Sequence, residues 1–185
     1  MTSEQKLKMA GGRAEVFLLE RKYREGLKEV QSLPYDILTP LPGALCGKYY
    51  FIGLARKALQ DEAGARTAFL KAKSAAEEDV KKSPDSADAH IHLAKVLAWL
   101  GEKDAALSEA QRATELRPES KDAFEGPDIT EQVAQVHAIL GDHGRAIEIL
   151  GGLLSRPSAV TVQSLKLNPI WDPLRSDARF QALID

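Results

Sequence analysis

The sequence of 185 residues lacks several features that would define other classes of protein. It contains one cysteine, Cys46, which excludes a disulfide framework and a cysteine-based metal site within a single chain. Its net charge is −2 and no basic stripe is visible, which argues against nucleic-acid binding. Its most apolar run, IHLAKVLAWL, contains a lysine and is too short to span a bilayer. We therefore expect a protein that binds neither nucleic acid nor membrane.

Two further absences concern the cell compartment and the fold class. The amino-terminal residues MTSEQKLKMAGG are polar and lack the apolar core of an export signal, so a cytoplasmic location is expected. No stretch alternates apolar and polar residues as a half-buried strand does. The sequence therefore predicts an all-α protein.

Residues 87–118 carry the pattern on which the fold prediction depends. Apolar residues such as Leu93 recur at helical spacing up to Gly101, and Ala106 begins a second helical pattern that stops at Pro118. This order predicts two antiparallel helices joined by a tight turn. A helix pair of this size cannot bury its apolar face alone, so it needs neighbouring pairs.

The same order occurs four times when the chain is aligned on the residue at each turn. The turn residues are Arg21, Gln60, Gly101 and Gly141. A small residue follows each turn, at Gly26, Ala65, Ala106 and Ala146. Apolar residues come four and then three positions later, at Val30, Phe69, Ala110 and Leu150, and at Leu33, Ala72, Ala113 and Leu153. Prolines follow, at Pro34, Pro84, Pro118 and Pro157. Small residues let two helices approach closely, and proline cannot continue a helix interior.

The alignment predicts eight helices, at about 4–20, 23–33, 44–60, 62–82, 87–100, 103–117, 127–140 and 143–155. Gly151 and Gly152 fall inside the last of these, where each glycine costs about 1 kcal/mol relative to alanine. We therefore expect this helix to be interrupted or to end early at Gly151.

The pattern resembles the tetratricopeptide repeat, whose unit is two antiparallel helices in about 34 residues. In the best-matching unit, His90 stands where the family often has Trp. The positions of the family's Leu, Gly and Tyr are occupied by Leu93, Ala94 and Leu97. The spacing between units is longer here, about forty residues. The resemblance implies a right-handed helical solenoid of four hairpins (about 4–34, 44–84, 87–118 and 127–157) within a single domain.

The tail at 158–185 differs from the repeats. Trp171, Leu174, Phe180 and Leu183 are spaced to fold back together, and Ser176 or Asp177 can cap a last short helix. Because the last unit of a solenoid exposes an apolar face, we expect this tail to cover it as a capping segment. The run LKLNPIWDPLRSDARFQALI also resembles the ends of repeat regions in modular bacterial signalling proteins, which implies an interaction or sensory module.

The resemblance also implies where such a module would bind a protein or peptide partner, because in the family the first helix of each unit lines the concave face. The residues that the packing stripe leaves available there are Tyr50, Leu54, Lys57, Asp88, Ile91, Lys95, Trp99, Glu131 and Gln135. Tyr50 and Trp99 would anchor a peptide through large contact areas. Lys57 and Lys95 would pair with acidic groups of the partner.

Two other functions stay open at this point. The helix at 62–82 could dock onto a neighbouring domain or a second copy, which would make the chain a structural module or a homodimer. A hydrolase using His143 or Cys46 is the remote alternative, since no GxSxG motif supports it. His90 and His92 are two residues apart on a helix and cannot easily share a metal ion, so we expect no metal site. Because the sequence shows no recognisable catalytic arrangement, we also expect no enzyme activity and no cofactor.

Overall fold

The computed structural model describes residues 12–33, 43–122 and 125–185. Within these ranges the regular structure is helical and contains no strand, which confirms the all-α prediction. The chain divides into two compact units, Met1–Lys82 and Ser83–Asp185. In the part of the chain that is described, no helix combines the length and the apolar character that crossing a bilayer requires.

The first unit contains helices α1 to α4. They are α1 (described over 12–19), α2 (Tyr23–Gln31), α3 (Ala44–Ala58) and α4 (Glu62–Lys82). Helix α3 packs against both α2 and α4. The core that they share contains the buried side chains of Val30, Phe51, Ile52, Ala55 and Ala68. The start of the predicted helix 4–20 and residues 34–42 lie outside the described residues.

The second unit contains two helix pairs and a carboxyl-terminal segment. The pairs are α5 (Ala87–Leu100) with α6 (Lys103–Leu116), and α7 (Gly126–Ile139) with α8 (His143–Leu154). Helix α7 also packs against α5 and α6, which joins the pairs. The segment after α8 forms α9 (Val162–Leu167), a 3₁₀ helix (Pro169–Leu174) and α10 (Ala178–Ile184).

All four predicted turns have the same backbone geometry. The turn residues adopt positive φ angles, at Arg21 (57°), Gln60 (64°), Gly101 (80°) and Gly141 (80°). In each turn this residue's amide donates to the carbonyl three residues back, and the next amide donates to the carbonyl five residues back, over 2.9 to 3.2 Å. A left-handed residue with these bonds is a common way to end a helix. The alignment of Arg21 and Gln60 with two glycines is therefore confirmed.

The packing stripe predicted for the second helix of each pair is also confirmed. The small residues Gly26, Ala65, Ala106 and Ala146 are buried, as are Val30, Phe69, Ala110 and Leu150. In the next row, Ala72, Ala113 and Leu153 are fully buried, whereas Leu33 is half-buried and lies two residues after the end of α2. Sequence periodicity alone was enough to identify the packing stripe, because each of these helices buries one narrow stripe against its partner helix.

The carboxyl-terminal segment folds back onto the second unit as predicted. Trp171, Leu174 and Phe180 are fully buried in one cluster with Leu150 and Leu153 of α8, and Leu183 packs against that cluster. Each short helix begins at a side-chain cap, which accepts a backbone amide hydrogen bond. The capping residues are Thr161, Asn168 and Asp177. These caps define the ends of segments too short to be stable as isolated helices.

The expected break at Gly151 is wrong. Helix α8 runs from His143 to Leu154 through both glycines. The buried side chains of Ile147, Leu150 and Leu153 hold this helix in the core, and their burial outweighs a propensity cost of about 2 kcal/mol for the glycine pair. The predicted helices 62–82 and 87–100 agree with the structure at both ends. Every other described helix start agrees within one residue, and the other helices end one or two residues earlier than predicted. The single domain stays a prediction.

Candidate functional site

The residues expected to line a binding groove occur in both compact units. Tyr50, Leu54 and Lys57 lie on α3 of the first unit. In the second unit, Asp88, Ile91, Lys95 and Trp99 lie on α5, while Glu131 and Gln135 lie on α7. Each of these side chains except Ile91 is half-buried or exposed.

The second unit brings most of its expected residues onto one surface. Asp88, His92, Lys95 and Trp99 follow one another on α5 at steps of four, three and four residues, which places them on one side of a helix. The Lys95 Nζ donates a hydrogen bond of 2.6 Å to Oε1 of Gln132 on α7. We call this surface the α5–α7 face, formed by Asp88, His92, Lys95, Trp99, Glu131, Gln132 and Gln135.

One end of the α5–α7 face is closed by an ion pair that the sequence did not reveal. Arg117, just after α6, donates hydrogen bonds of 2.9 and 2.8 Å to the two carboxylate oxygens of Asp88. This contact lowers the pKa of Asp88 and raises the pKa of Arg117. The charge of Asp88 is therefore compensated within the unit. No sequence periodicity relates these two residues, so only the folded hairpin identifies their contact.

The centre of the α5–α7 face carries a histidine in its neutral form. Burial lowers the pKa of His92 to about 4, and the positive charge of Lys95 lowers it further, against the opposing effect of Asp88. The His92 side chain is half-buried. Near neutral pH its ring offers one hydrogen-bond donor and one acceptor, and Lys95 is the cation of this surface.

Ile91 is a correction to the expected groove residues. Its side chain is fully buried, so a ligand of the folded unit cannot contact it. The family resemblance placed Ile91 on the concave face, but α5 packs against both α6 and α7 and buries most of its circumference. An apolar residue beside the Asp88–Lys95 row is therefore covered by the neighbouring helices.

The expected residues of the first unit contact other parts of their own helix pair. The Tyr50 ring lies 6.1 Å from the Phe69 ring, centroid to centroid, in a tilted arrangement. The Lys57 Nζ lies 3.3 Å from both carboxylate oxygens of Glu62. This exposed ion pair adds little to stability, but it partly neutralises the cation that was expected to attract an acidic partner.

The two residues of the remote hydrolase hypothesis lie in different compact units. Cys46 is buried on α3, whereas His143 begins α8 in the other unit. Within the described ranges, His143 makes no side-chain hydrogen bond. The same ranges contain no group of three histidine, cysteine, aspartate or glutamate residues arranged to hold a metal ion.

His90 is buried. Its Nε2 donates to the Pro84 carbonyl oxygen over 2.9 Å, and its Nδ1 lies 2.5 Å from Oε2 of Glu109. Both ring nitrogens therefore have partners on neighbouring segments. This histidine connects the start of α5 to α6, and neither nitrogen is left to bind a ligand.

Comparison of the chain with protein-family models, with curated proteins and with solved structures finds no match. The resemblance to tetratricopeptide repeats therefore stays a prediction from the sequence pattern.

Proposed function

We propose that this chain is a non-catalytic scaffold that binds a peptide segment of a partner protein on the α5–α7 face. The proposal includes a right-handed solenoid of tetratricopeptide-like hairpins, because four turns share one hydrogen-bond pattern and one left-handed residue. Repeated helix pairs of this kind form extended surfaces suited to binding. The carboxyl-terminal segment caps the second unit, which fits an interaction module of a signalling protein.

The observation that carries the proposal is the composition of the α5–α7 face. Lys95 provides a cation, Trp99 a large amphipathic ring, and Gln132 and Gln135 side-chain amides that can both donate to and accept from a peptide backbone. Arg117 compensates Asp88, so the remaining charges of the face belong to Lys95 and Glu131. We therefore expect a peptide with an acidic residue near Lys95 and an apolar residue near Trp99.

Selection of binding peptides from a random library on the intact chain tests this function. We expect enriched peptides to carry an acidic and an apolar residue. Lys95→Glu and Trp99→Ala should each weaken binding of a selected peptide by about tenfold or more, as expected for central anchor residues. Lys103→Glu, an equal charge reversal at an exposed position on α6, should leave the affinity within about twofold.

Equal losses in all three variants would show that the peptide does not use the α5–α7 face. Failure to enrich any peptide would contradict the function itself. Light scattering of the intact chain across a range of concentrations addresses the self-association alternative. A strict monomer would count against that alternative. A dimer that Lys95→Glu disrupts would show that the α5–α7 face binds a second copy of the chain and not a peptide.

A further inference from the structure

A cavity of about 250 Å³ opens within the first unit. It lies between the end of α2, one side of α3 and one side of α4. Its floor is formed by Ile52 and Ala68, which are buried. Its polar lining contains three cationic side chains, Lys48, Arg56 and Lys71, and no carboxylate among the described residues. The cavity therefore combines an apolar floor with a positively charged wall.

Two of these cations have no acidic partner in the described part of the chain. The Lys48 Nζ donates one hydrogen bond of 2.7 Å to the Leu33 carbonyl oxygen. The Lys71 Nζ lies over the Tyr49 ring, 5.4 Å from its centroid, in a cation–π contact. Each ammonium group carries three hydrogens, so both retain donors for a ligand. Arg56 differs, because its Nη1 lies 3.4 Å from Oδ2 of Asp61.

The surroundings of Lys48 make an anionic ligand favourable. Partial burial lowers the pKa of this lysine, which means that the folded unit maintains the ammonium charge at an energetic cost. A bound anion would offset that cost through a charge-assisted hydrogen bond. A carboxylate would supply a single negative charge. A phosphate monoester carries about −1.5 to −2 at neutral pH, and so it better matches two lysines that have no acidic partner among the described residues.

We propose that this cavity is a binding site for a phosphate monoester, with Lys48 and Lys71 holding the phosphoryl oxygens. The organic group of the ligand then lies on the floor of Ile52 and Ala68, beside the Tyr49 ring. The cavity exceeds the size of a phosphate group alone, so we expect the ester to bind better than the free ion. This inference is independent of the peptide-binding proposal because it involves other residues in the other unit.

Calorimetric titration of the intact chain tests the site with phenyl phosphate, inorganic phosphate and phenol. Phenyl phosphate should bind more tightly than inorganic phosphate, phenol should not bind, and added salt should weaken the phosphate complexes. Lys48→Gln and Lys71→Gln should each lower the affinity for phenyl phosphate by about tenfold, the effect of losing one charge-assisted hydrogen bond. Lys81→Gln, an exposed lysine near the end of α4, is the matched control and should stay within about twofold.

A serine-phosphorylated peptide and its unphosphorylated form distinguish the source of the phosphate. Tighter binding of the phosphorylated peptide than of phenyl phosphate would identify a modified protein as the ligand, whereas binding of phenyl phosphate alone would identify a small metabolite. Either result supports the site. If phenyl phosphate at about 10 mM does not bind, the proposal is overturned. A dissociation constant weaker than this corresponds to a binding free energy of less than about 3 kcal/mol. An equal loss in Lys81→Gln and Lys48→Gln would also overturn it.

Discussion

The two compact units use the same turn but build it from different residues. The second unit places Gly101 and Gly141 at the left-handed position, whereas the first unit places Arg21 and Gln60 there with φ angles of 57° and 64°. Left-handed backbone costs a residue with a side chain about 1–2 kcal/mol. The turn therefore forms in the first unit despite this cost, because the helices on either side are fixed by their packing.

The units also fill the space between paired helices differently. In the first unit, a Cβ added at Gly53 would overlap the Phe69 ring, and one added at Gly26 would lie 2.5 Å from Cζ of Phe51. In the α5–α6 pair of the second unit, the positions equivalent to Gly53 and Phe69 are Ala94 and Ala110, both buried. A glycine against a phenylalanine in one pair and two alanines in the other thus fill the space between paired helices in different ways. The distance between two paired helices depends on the combined size of the side chains that face each other.

The largest expected effect concerns the segment that covers the second unit. Trp171→Ala should lower the free energy of unfolding by about 3–5 kcal/mol, because it leaves a large cavity in the cluster around Leu150 and Phe180. Urea unfolding followed by circular dichroism measures the loss. Trp171→Phe is the control: it keeps most of the apolar volume and removes an indole N–H that has no partner within the described residues. A similar loss in both variants would argue against a packing role.

The next effect tests the glycine–phenylalanine packing of the first unit. Gly53→Ala should lower the free energy of unfolding by about 1–3 kcal/mol, because the new methyl group overlaps the Phe69 ring. Gly47→Ala on the same helix has open space around its Cβ and should raise stability by about 0.5–1 kcal/mol. Opposite signs for these two substitutions in chemical unfolding would support the comparison. Stabilisation by both would show that α3 and α4 pack less closely.

A smaller effect concerns the pH dependence of the second unit. The pKa of His92 is about 4 when folded and about 6.5 when unfolded, so the unfolded chain binds the extra proton. The contribution of neutral His92 to the free energy of unfolding is fully present above pH 6.5 and is lost as the pH falls toward 4. The loss should be at most about 2 kcal/mol, since the side chain is only half-buried and solvent screens part of the shift. His92→Gln should flatten the unfolding free energy between pH 6.5 and 4, and an unchanged slope would contradict this.

The smallest expected effect concerns the turns. Gln60→Gly should raise the free energy of unfolding by about 0.5 kcal/mol, because relief of the left-handed backbone is partly offset by the greater freedom of glycine when unfolded. Gly101→Ala makes the reverse change and should cost about 1 kcal/mol. Thermal unfolding of both variants provides the measurement. If Gln60→Gly lowers the free energy of unfolding, the Gln60 side chain must stabilise the folded chain by more than its left-handed backbone destabilises it.

Sequence periodicity predicted the helices, the turns and the stripe of small buried residues, because each depends on spacing along one helix or one hairpin. It failed at Gly151, where tertiary burial of α8 outweighs local propensity. The candidate site was predicted less well. Ile91 is covered by helices packed on two sides, and the contacts Asp88–Arg117 and Lys95–Gln132 join residues far apart in the chain. Such contacts depend on how the helix pairs fold together, which no local pattern records.

Mapping of backbone amide shifts by NMR is the most direct test of peptide binding to the α5–α7 face. A library-selected peptide should produce its largest shift changes at Asp88, Lys95 and Trp99 on α5 and at Gln132 and Gln135 on α7. Shift changes confined to α6 and α8, with those five residues unaffected, would contradict the account.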